Sequence, residues 1–217
     1  MIHKNRLLSD DAKTTYMKFV CMGVSALALL VLGWFAFHSY KVYQGKRAQR
    51  ILGESLQEFQ EAMNVAQPQW GDVQLMNELG AQQTSGAALQ PFFLVMQAQA
   101  LAQQKKVDEA VTTIQQAINE LPAGSPYKAY FGLTKSLMQL DASTQEAKDA
   151  GFAALQTFAQ DNANPYRDAA MYHVGDYYFA LNETAKALEV WSQLVAQSAA
   201  FANSPWVALA QQKLATV

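Results

Sequence analysis

Cysteine is almost absent from the chain: Cys21 is the only one, and histidine occurs three times. One cysteine cannot form a disulfide within the chain, and no second Cys or His stands at the spacing of a zinc site. Glycine-rich phosphate loops and recognisable nucleophile or acid–base motifs are also missing. The sequence therefore predicts no catalytic residues, no metal and no cofactor.

Basic charge is scarce beyond the first fifty residues. Residues 1–50 carry eight Lys or Arg against two Asp, a formal charge of +6, whereas residues 51–217 carry eight against sixteen acids, a charge of −8. Nucleic-acid binding requires basic surface to neutralise phosphates, so we expect no nucleic-acid partner. The basic segment instead suits anionic lipid head groups.

A long uncharged run near the N-terminus predicts a membrane anchor. Residues 19–37 contain no charged side chain, and as a helix they would extend about 28 Å, enough to cross the hydrocarbon core. No small-residue cleavage site follows the run, so an uncleaved transmembrane helix is expected after a short tail, residues 1–18. Four Lys or Arg flank it on each side, which leaves its orientation undecided by charge.

Residues 38–66 contain no proline and are predicted to form a linker helix. Small and apolar residues recur along it at alternating spacings of four and three, which is typical of a helical seam. Two interpretations stay open: this face packs on the first hairpin of the following domain, or it forms a homodimer through residues 48–66. The seam consists of Ala48, Leu52, Ser55, Phe59, Ala62 and Ala66.

Proline followed by an aromatic residue recurs at intervals of 35, 39 and 40 residues. This period is typical of stacked helical hairpins, each too small to bury its own apolar face. Three of the four prolines follow a short oxygen-bearing side chain, Ser125, Asn164 or Ser204, which predicts a helix start with a capped N–H. The four pairs are Pro91-Phe92, Pro126-Tyr127, Pro165-Tyr166 and Pro205-Trp206.

Within this array, small residues stand at the positions where the paired helices of tetratricopeptide (TPR) repeats cross. Counting from Pro91, Ala98 and Ala110 fall at positions 8 and 20; counting from Asp168, Gly175 and Ala187 do. The chain thus resembles TPR proteins, which implies an all-α solenoid. We expect a TPR-like domain over 67–217, with clear repeats near 91–122 and 168–201, a degenerate repeat over 125–161 and a terminal helix over 205–215.

In the degenerate repeat the second helix departs from the TPR register. The stretch from Leu140 to Thr144 is expected to be a lengthened turn. Either Ala147 or Ala150 is then expected at the crossing.

The layout of tail, anchor, linker helix and imperfect repeats resembles the YfgM-like ancillary subunits of the bacterial Sec translocon. Lys106-Val107-Asp108-Glu109-Ala110 and Tyr178-Phe179-Ala180-Leu181 add to this resemblance. It implies a single-pass inner-membrane protein held by residues 19–37, with its C-terminal domain in the periplasm. The implied partners are translocon subunits, chaperones or emerging polypeptides.

In TPR proteins the ligand lies against the first helix of each pair, so the matching positions predict a protein-binding groove. Its aromatic, apolar and amide groups suit an apolar or extended segment. The alternative is that Tyr172 and Phe179 only pack against the adjacent hairpin. The candidate groove residues are Phe92, Val95, Gln99, Tyr172, Asp176 and Phe179.

Two functions are compatible with this pattern. One is a membrane-tethered binding module that assists protein translocation or chaperone handover. The other is a structural or assembly subunit permanently docked on another membrane complex.

Overall fold

The structure, a computed structural model, describes residues 34, 38–40, 42–85, 88–197 and 204–216. The predicted tail 1–18 and, apart from Trp34, the predicted anchor 19–37 lie outside the described residues. No helix in the described part of the chain combines the length and apolar character needed to cross a membrane. The chain divides into two compact units, Met1–Arg47 and Ala48–Val217.

In the first unit, the described residues 34, 38–40 and 42–47 are all helical. The rings of Trp34 and His38 stack with their centroids 5.6 Å apart. Gln44 Nε2 donates a hydrogen bond to the Tyr40 hydroxyl at 2.7 Å. Both contacts join residues four apart and therefore support the local helix.

In the described residues of the second unit, helices are the regular secondary structure, and turns or loops connect them. Its first helix, α1, covers residues 48–64, and each later helix from α2 to α9 packs against the next. The remaining helices are α2 Trp70–Gln83, α3 Gln90–Gln103, α4 Val107–Glu120, α5 Tyr127–Leu140, α6 Gln145–Gln160, α7 Arg167–Ala180, α8 Thr184–Ala196 and α9 Pro205–Thr216.

The predicted cap followed by proline in the first turn is found at α9, which begins at Pro205. Helices α5 and α7 begin later, with Pro126 and Tyr166 as their N-cap residues, so Ser125 and Asn164 lie just before the cap. In each case a side-chain oxygen accepts a hydrogen bond from the amide two residues on: Ser125 Oγ from Tyr127 (3.3 Å), Asn164 Oδ1 from Tyr166 (3.0 Å) and Ser204 Oγ from Trp206 (3.2 Å). These bonds satisfy amides that have no partner within the helix.

Two hairpins turn in the same way. Lys105 and Asn182 have φ of 66° and 59°, the left-handed conformation that ends many helices. After each, the following amide reaches back to close the last helical turn, Lys106 N to Leu101 O (3.0 Å) and Glu183 N to Tyr178 O (2.9 Å). Lys105 and Asn182 occupy the same repeat position when the two repeats are counted from Pro91 and Asp168, as in the TPR alignment of the sequence.

Small residues lie where paired helices approach most closely. Ala98, Ala110 and Ala187 are fully buried. A Cβ added to Gly175 would clash with the indole of Trp191, 2.6 Å from its Cδ1 atom. In the α5–α6 hairpin this position belongs to Gly151, where a Cβ would lie 2.8 Å from the Ser136 carbonyl oxygen.

This finding differs from the expectation for the degenerate repeat. Ala147 is half-buried and Ala150 is exposed, so neither lies at the α5–α6 crossing. The link between these helices spans residues 141–144, which shifts the second helix relative to the TPR register and brings the glycine to the crossing.

Helix α1 belongs to the second unit and is not a free linker. Ala48, Ser55 and Ala62 on its seam are buried, and Phe59 meets Trp70 of α2 edge to face with centroids 5.5 Å apart. The seam therefore packs on the chain's own helices, as the first of the two interpretations expected. Ala66, the last seam residue, lies beyond α1 and is exposed.

Candidate functional site

The aromatic residues of the sequence repeat connect the first helices of successive hairpins. Phe92 of α3 meets Tyr127 of α5 edge to face, with centroids 4.8 Å apart. Tyr130 of α5 lies 5.7 Å from Tyr166, just before α7, and a further ring contact joins α7 to α9. We call the side of the unit formed by α3, α5, α7 and α9 the first-helix face.

Two tyrosines on this face remain accessible. Tyr127 and Tyr130 keep 47% and 38% of their surface exposed, although both make ring contacts. An aromatic ring held in place by neighbours loses little entropy when a ligand covers it, so such rings are effective contact groups.

Further along α5 than the two tyrosines, an open cleft separates the C-terminal halves of α3 and α5. Its volume is about 510 Å³. Amide, hydroxyl and aliphatic groups line it, with Lys105 and Asp141 in the turns at the ends of the two helices. The lining residues used below are Gln99, Gln103, Thr134, Leu137 and Asp141.

At the other end of the face, helix α9 covers α7. Tyr172 is buried, and its ring lies 5.4 Å from that of Trp206. Lys213 Nζ lies 2.8 Å from Asp176 Oδ1. The same ammonium stands 5.7 Å from the centre of the Phe179 ring, a cation–π distance.

Burial and these contacts raise the pKa values of Tyr172 and Lys213. Burial, followed by the nearby Asp176 carboxylate, raises the pKa of the Tyr172 hydroxyl above 10.0. The hydrogen bond to Asp176 is the main cause that raises the pKa of Lys213. Lys213 is therefore charged at neutral pH, and Tyr172 is neutral.

The two ends of the face thus differ in one respect. On α9, Lys213 stands seven residues after the repeat aromatic Trp206, and it fills the space beside α7. On α5, the residue seven after Tyr127 is Thr134, whose short side chain leaves the space beside α3 open.

The six predicted groove residues do not form one continuous site. On α3, Phe92 is half-buried in ring contacts and Val95 is buried, while Gln99 lines the open cleft. On α7, Tyr172 and Asp176 are covered by α9, as the packing alternative expected for Tyr172. Phe179 remains 40% exposed and rests on Trp191, with ring centroids 5.8 Å apart.

Sequence reasoning missed the contribution of α5 because its repeat is degenerate. The two accessible tyrosines and the cleft-lining residues that follow them recur at spacings of three and four, which was the available signal. They are Tyr127, Tyr130, Thr134, Leu137 and Asp141.

His173 is the histidine on this face, and it is not part of a metal-binding group. Among the described residues, no group of three or more His, Cys, Asp or Glu could hold a metal ion. The His173 ring lies 5.0 Å from that of Trp206, and the charged group that acts on it is Asp176, which is itself paired with Lys213. Burial lowers its pKa below 6.5, against a smaller opposing effect of Asp176.

A pH prediction follows from this lowered pKa. Between pH 6.5 and the lower folded-state pKa, the unfolded chain binds a proton at His173 that the folded chain does not. The contribution of His173 to the folding free energy is therefore fully present above pH 6.5, and it is lost as the pH falls through that window. Urea unfolding of His173→Gln should show a weaker pH dependence there than the parent chain; equal curves would contradict the prediction.

No protein-family model and no curated protein matches the sequence. The structure is similar to a crystal structure of nearly identical TPR-like repeats from a Podosopora anserina protein assigned as a kinesin light chain, with a TM-score of 0.57. The match covers 78% of this chain and 84% of that chain at 16% sequence identity. The chain therefore has the fold of a TPR-like helical-repeat protein.

Proposed function

We propose that this protein is a protein-interaction module that binds a segment of another polypeptide on its first-helix face, between α3 and α5. One observation carries the proposal: the stripe of α5 that bears the accessible rings of Tyr127 and Tyr130 continues, at spacings of three and four residues, into Thr134, Leu137 and Asp141 of the open cleft. The corresponding space between α7 and α9 is filled by the chain's own Lys213. The α3–α5 cleft therefore offers room for a ligand that the α7–α9 contact does not.

The chemistry of the cleft favours an extended polypeptide segment. Gln99 and Gln103 can both donate and accept hydrogen bonds, as peptide groups require. Leu137 and the two tyrosines supply apolar contact for alternate side chains of the segment. The proposed activity is binding and includes no catalysis.

We further propose that the module is tethered to a bacterial inner membrane by residues 19–37 and works beside the Sec translocon. The uncharged run and the resemblance to the YfgM-like subunits support this part of the proposal. Its partners are then emerging polypeptides, translocon subunits or periplasmic chaperones, and the C-terminal unit lies in the periplasm. Permanent docking on one membrane complex is the competing function.

Site-specific photocrosslinking in native membranes tests the proposal. A photoreactive amino acid at Tyr130 should capture other proteins, whereas the same group at Leu209 should not, although both parent residues are 38% exposed. Diverse secreted chains or chaperones would support the translocation role. Capture of a single membrane protein, in constant proportion, would support the structural subunit. Equal capture from Tyr130 and Leu209 would contradict binding between α3 and α5.

Truncating the two tyrosines should weaken this capture. We expect Tyr127→Ala/Tyr130→Ala to reduce crosslinking from a probe at Gln99 about tenfold, because interface aromatics often contribute more than 1 kcal/mol each. Leu209→Ala is the matched control and should leave capture unchanged. Circular dichroism confirms that the variants are folded; unchanged capture by the folded double variant would overturn the assignment of the tyrosines.

A further inference from the structure

Helix α2 exposes large apolar side chains on the side of the unit opposite to its contact with α3. Leu75 and Leu79 lie one turn apart, with 56% and 46% of their surface exposed. The exposed positions of α4, α6 and α8 are instead polar or alanine. Among these second helices of the array, α2 therefore has an unpartnered apolar face.

Two clefts flank α2. The first, of about 330 Å³, lies between α1 and α2 and has Met76 on its α2 side. The second, of about 540 Å³, lies between α2 and α4. Leu75, Met76 and Leu79, which we call the α2 ridge, lie on the helix that separates the two clefts.

Carboxylates line both clefts, and no Lys, Arg or His is among their lining residues. In the α1–α2 cleft they are Glu54, Glu58 and Glu61. In the α2–α4 cleft they are Glu78, Asp108 and Glu109.

Among the residues that the structure describes, the ion pairs that reach these carboxylates are weak. Arg50 Nε approaches Glu54 Oε1 at 3.8 Å, and both side chains are mostly exposed, so this pair contributes weakly. Asp108 accepts a hydrogen bond from the Ser143 hydroxyl at 2.7 Å, which leaves its charge in place. The α2 ridge is therefore an apolar strip with negative charge on both sides.

We propose that the α2 ridge is a second docking surface, and that its occupant is a cationic amphipathic helix of another protein. Apolar side chains of that helix would cover Leu75 and Leu79, and its Lys or Arg side chains would reach the carboxylates of the two clefts. Charge complementarity selects this partner, because opposite potentials speed association and like charges oppose it. A second copy would instead bring carboxylates against carboxylates.

The surface is independent of the first-helix face. It is built from α1, α2 and α4 together with Gln97 and Leu101 of α3. The cleft of the proposed binding function uses other residues of α3, α4 and α5, so the two surfaces have no lining residue in common. Binding at one surface can therefore fail in an experiment while binding at the other succeeds.

A labelled amphipathic helix of leucine and lysine is a direct probe. Its anisotropy is measured with the full chain in phosphatidylcholine nanodiscs, after subtraction of empty nanodiscs. We expect Glu54→Gln/Glu58→Gln/Glu61→Gln to weaken binding about tenfold, since each exposed charge pair adds a modest amount. The control Glu146→Gln/Asp149→Asn/Glu189→Gln changes the net charge equally and should alter affinity at most about twofold.

The apolar part of the surface is tested separately. Leu75→Ser/Leu79→Ser should also weaken probe binding about tenfold, and added salt should then act on the remaining affinity as it does in the parent chain. Equal losses in the two triple variants, or an unaffected leucine variant, would overturn the proposal. So would a large gain in probe affinity on Lys4→Gln/Arg6→Gln/Lys13→Gln, which would identify the chain's own basic segment as the occupant.

Discussion

Replacing Gly175 with leucine is expected to remove about 3 kcal/mol or more of folding free energy. Any side chain at this position enters the space of Trp191, which is fully buried and packs in the same hairpin. The indole cannot move freely, because its Nε1 donates a hydrogen bond to the Tyr172 carbonyl at 3.2 Å. Overpacking of a filled core typically costs about 1–3 kcal/mol, and the displaced hydrogen bond adds about 1 kcal/mol.

Alanine substitutions separate this packing effect from helix propensity. Alanine favours a helix interior over glycine by about 1 kcal/mol. At Gly53 of α1 an added Cβ meets nothing within 4 Å, so Gly53→Ala should raise the stability by up to about 1 kcal/mol. At Gly175 the clash outweighs this gain, and Gly175→Ala should lower it.

Urea unfolding of the full chain, followed by circular dichroism, checks both signs. Solenoids can unfold in more than one step, so midpoints of the transition that contains each residue are compared. If Gly175→Ala stabilised the chain as Gly53→Ala does, the helices of this hairpin would not cross as closely as described.

The clear repeats could be predicted because their determinants are local. Ala110 and Ala187 occupy positions where a larger side chain would separate the paired helices. The turns at Lys105 and Asn182 follow at the same position of the two clear repeats, even though neither residue is glycine. Both adopt the left-handed conformation because the closing backbone hydrogen bonds offset its cost.

The degenerate repeat could not be predicted in the same detail. Its crossing residue, Gly151, is followed by an apolar stripe that fits several registers. The choice among them depends on how α6 meets Ser136 and Gln139 of α5, which is a tertiary contact. Periodicity alone identifies the buried side of a helix but not its position along the partner.

The prediction of the groove residues was limited for the same reason, because it depended on a tertiary contact. Position on a helix predicted that Tyr172 and Asp176 belong to the first-helix face, but not which element lies over them. That element is α9, which Trp206 and Lys213 attach to α7. The site is left open at α3 and α5 because Thr134 is too short to occupy the place that Lys213 fills.

The second large effect is expected at the contact between α2 and α3. Phe93 is completely buried, and its ring lies over Gly80 of α2. Phe93→Ala should cost about 3–5 kcal/mol, because it removes the apolar contacts of the ring and leaves a cavity. As a control, Leu209→Ala at an exposed site of α9 should change stability by less than about 0.5 kcal/mol.

A double-mutant cycle shows whether Gly80 and Phe93 act through this contact. In the parent chain a Cβ at Gly80 would lie 2.6 Å from the Phe93 Cε1 atom, so Gly80→Ala alone should overpack the interface. In the Phe93→Ala background the same methyl group enters space that the ring has vacated. The double variant should therefore be more stable than the sum of the single effects by about 1 kcal/mol or more. Strictly additive effects in urea unfolding would contradict the packing of α2 on α3, and with it the position of the α2 ridge.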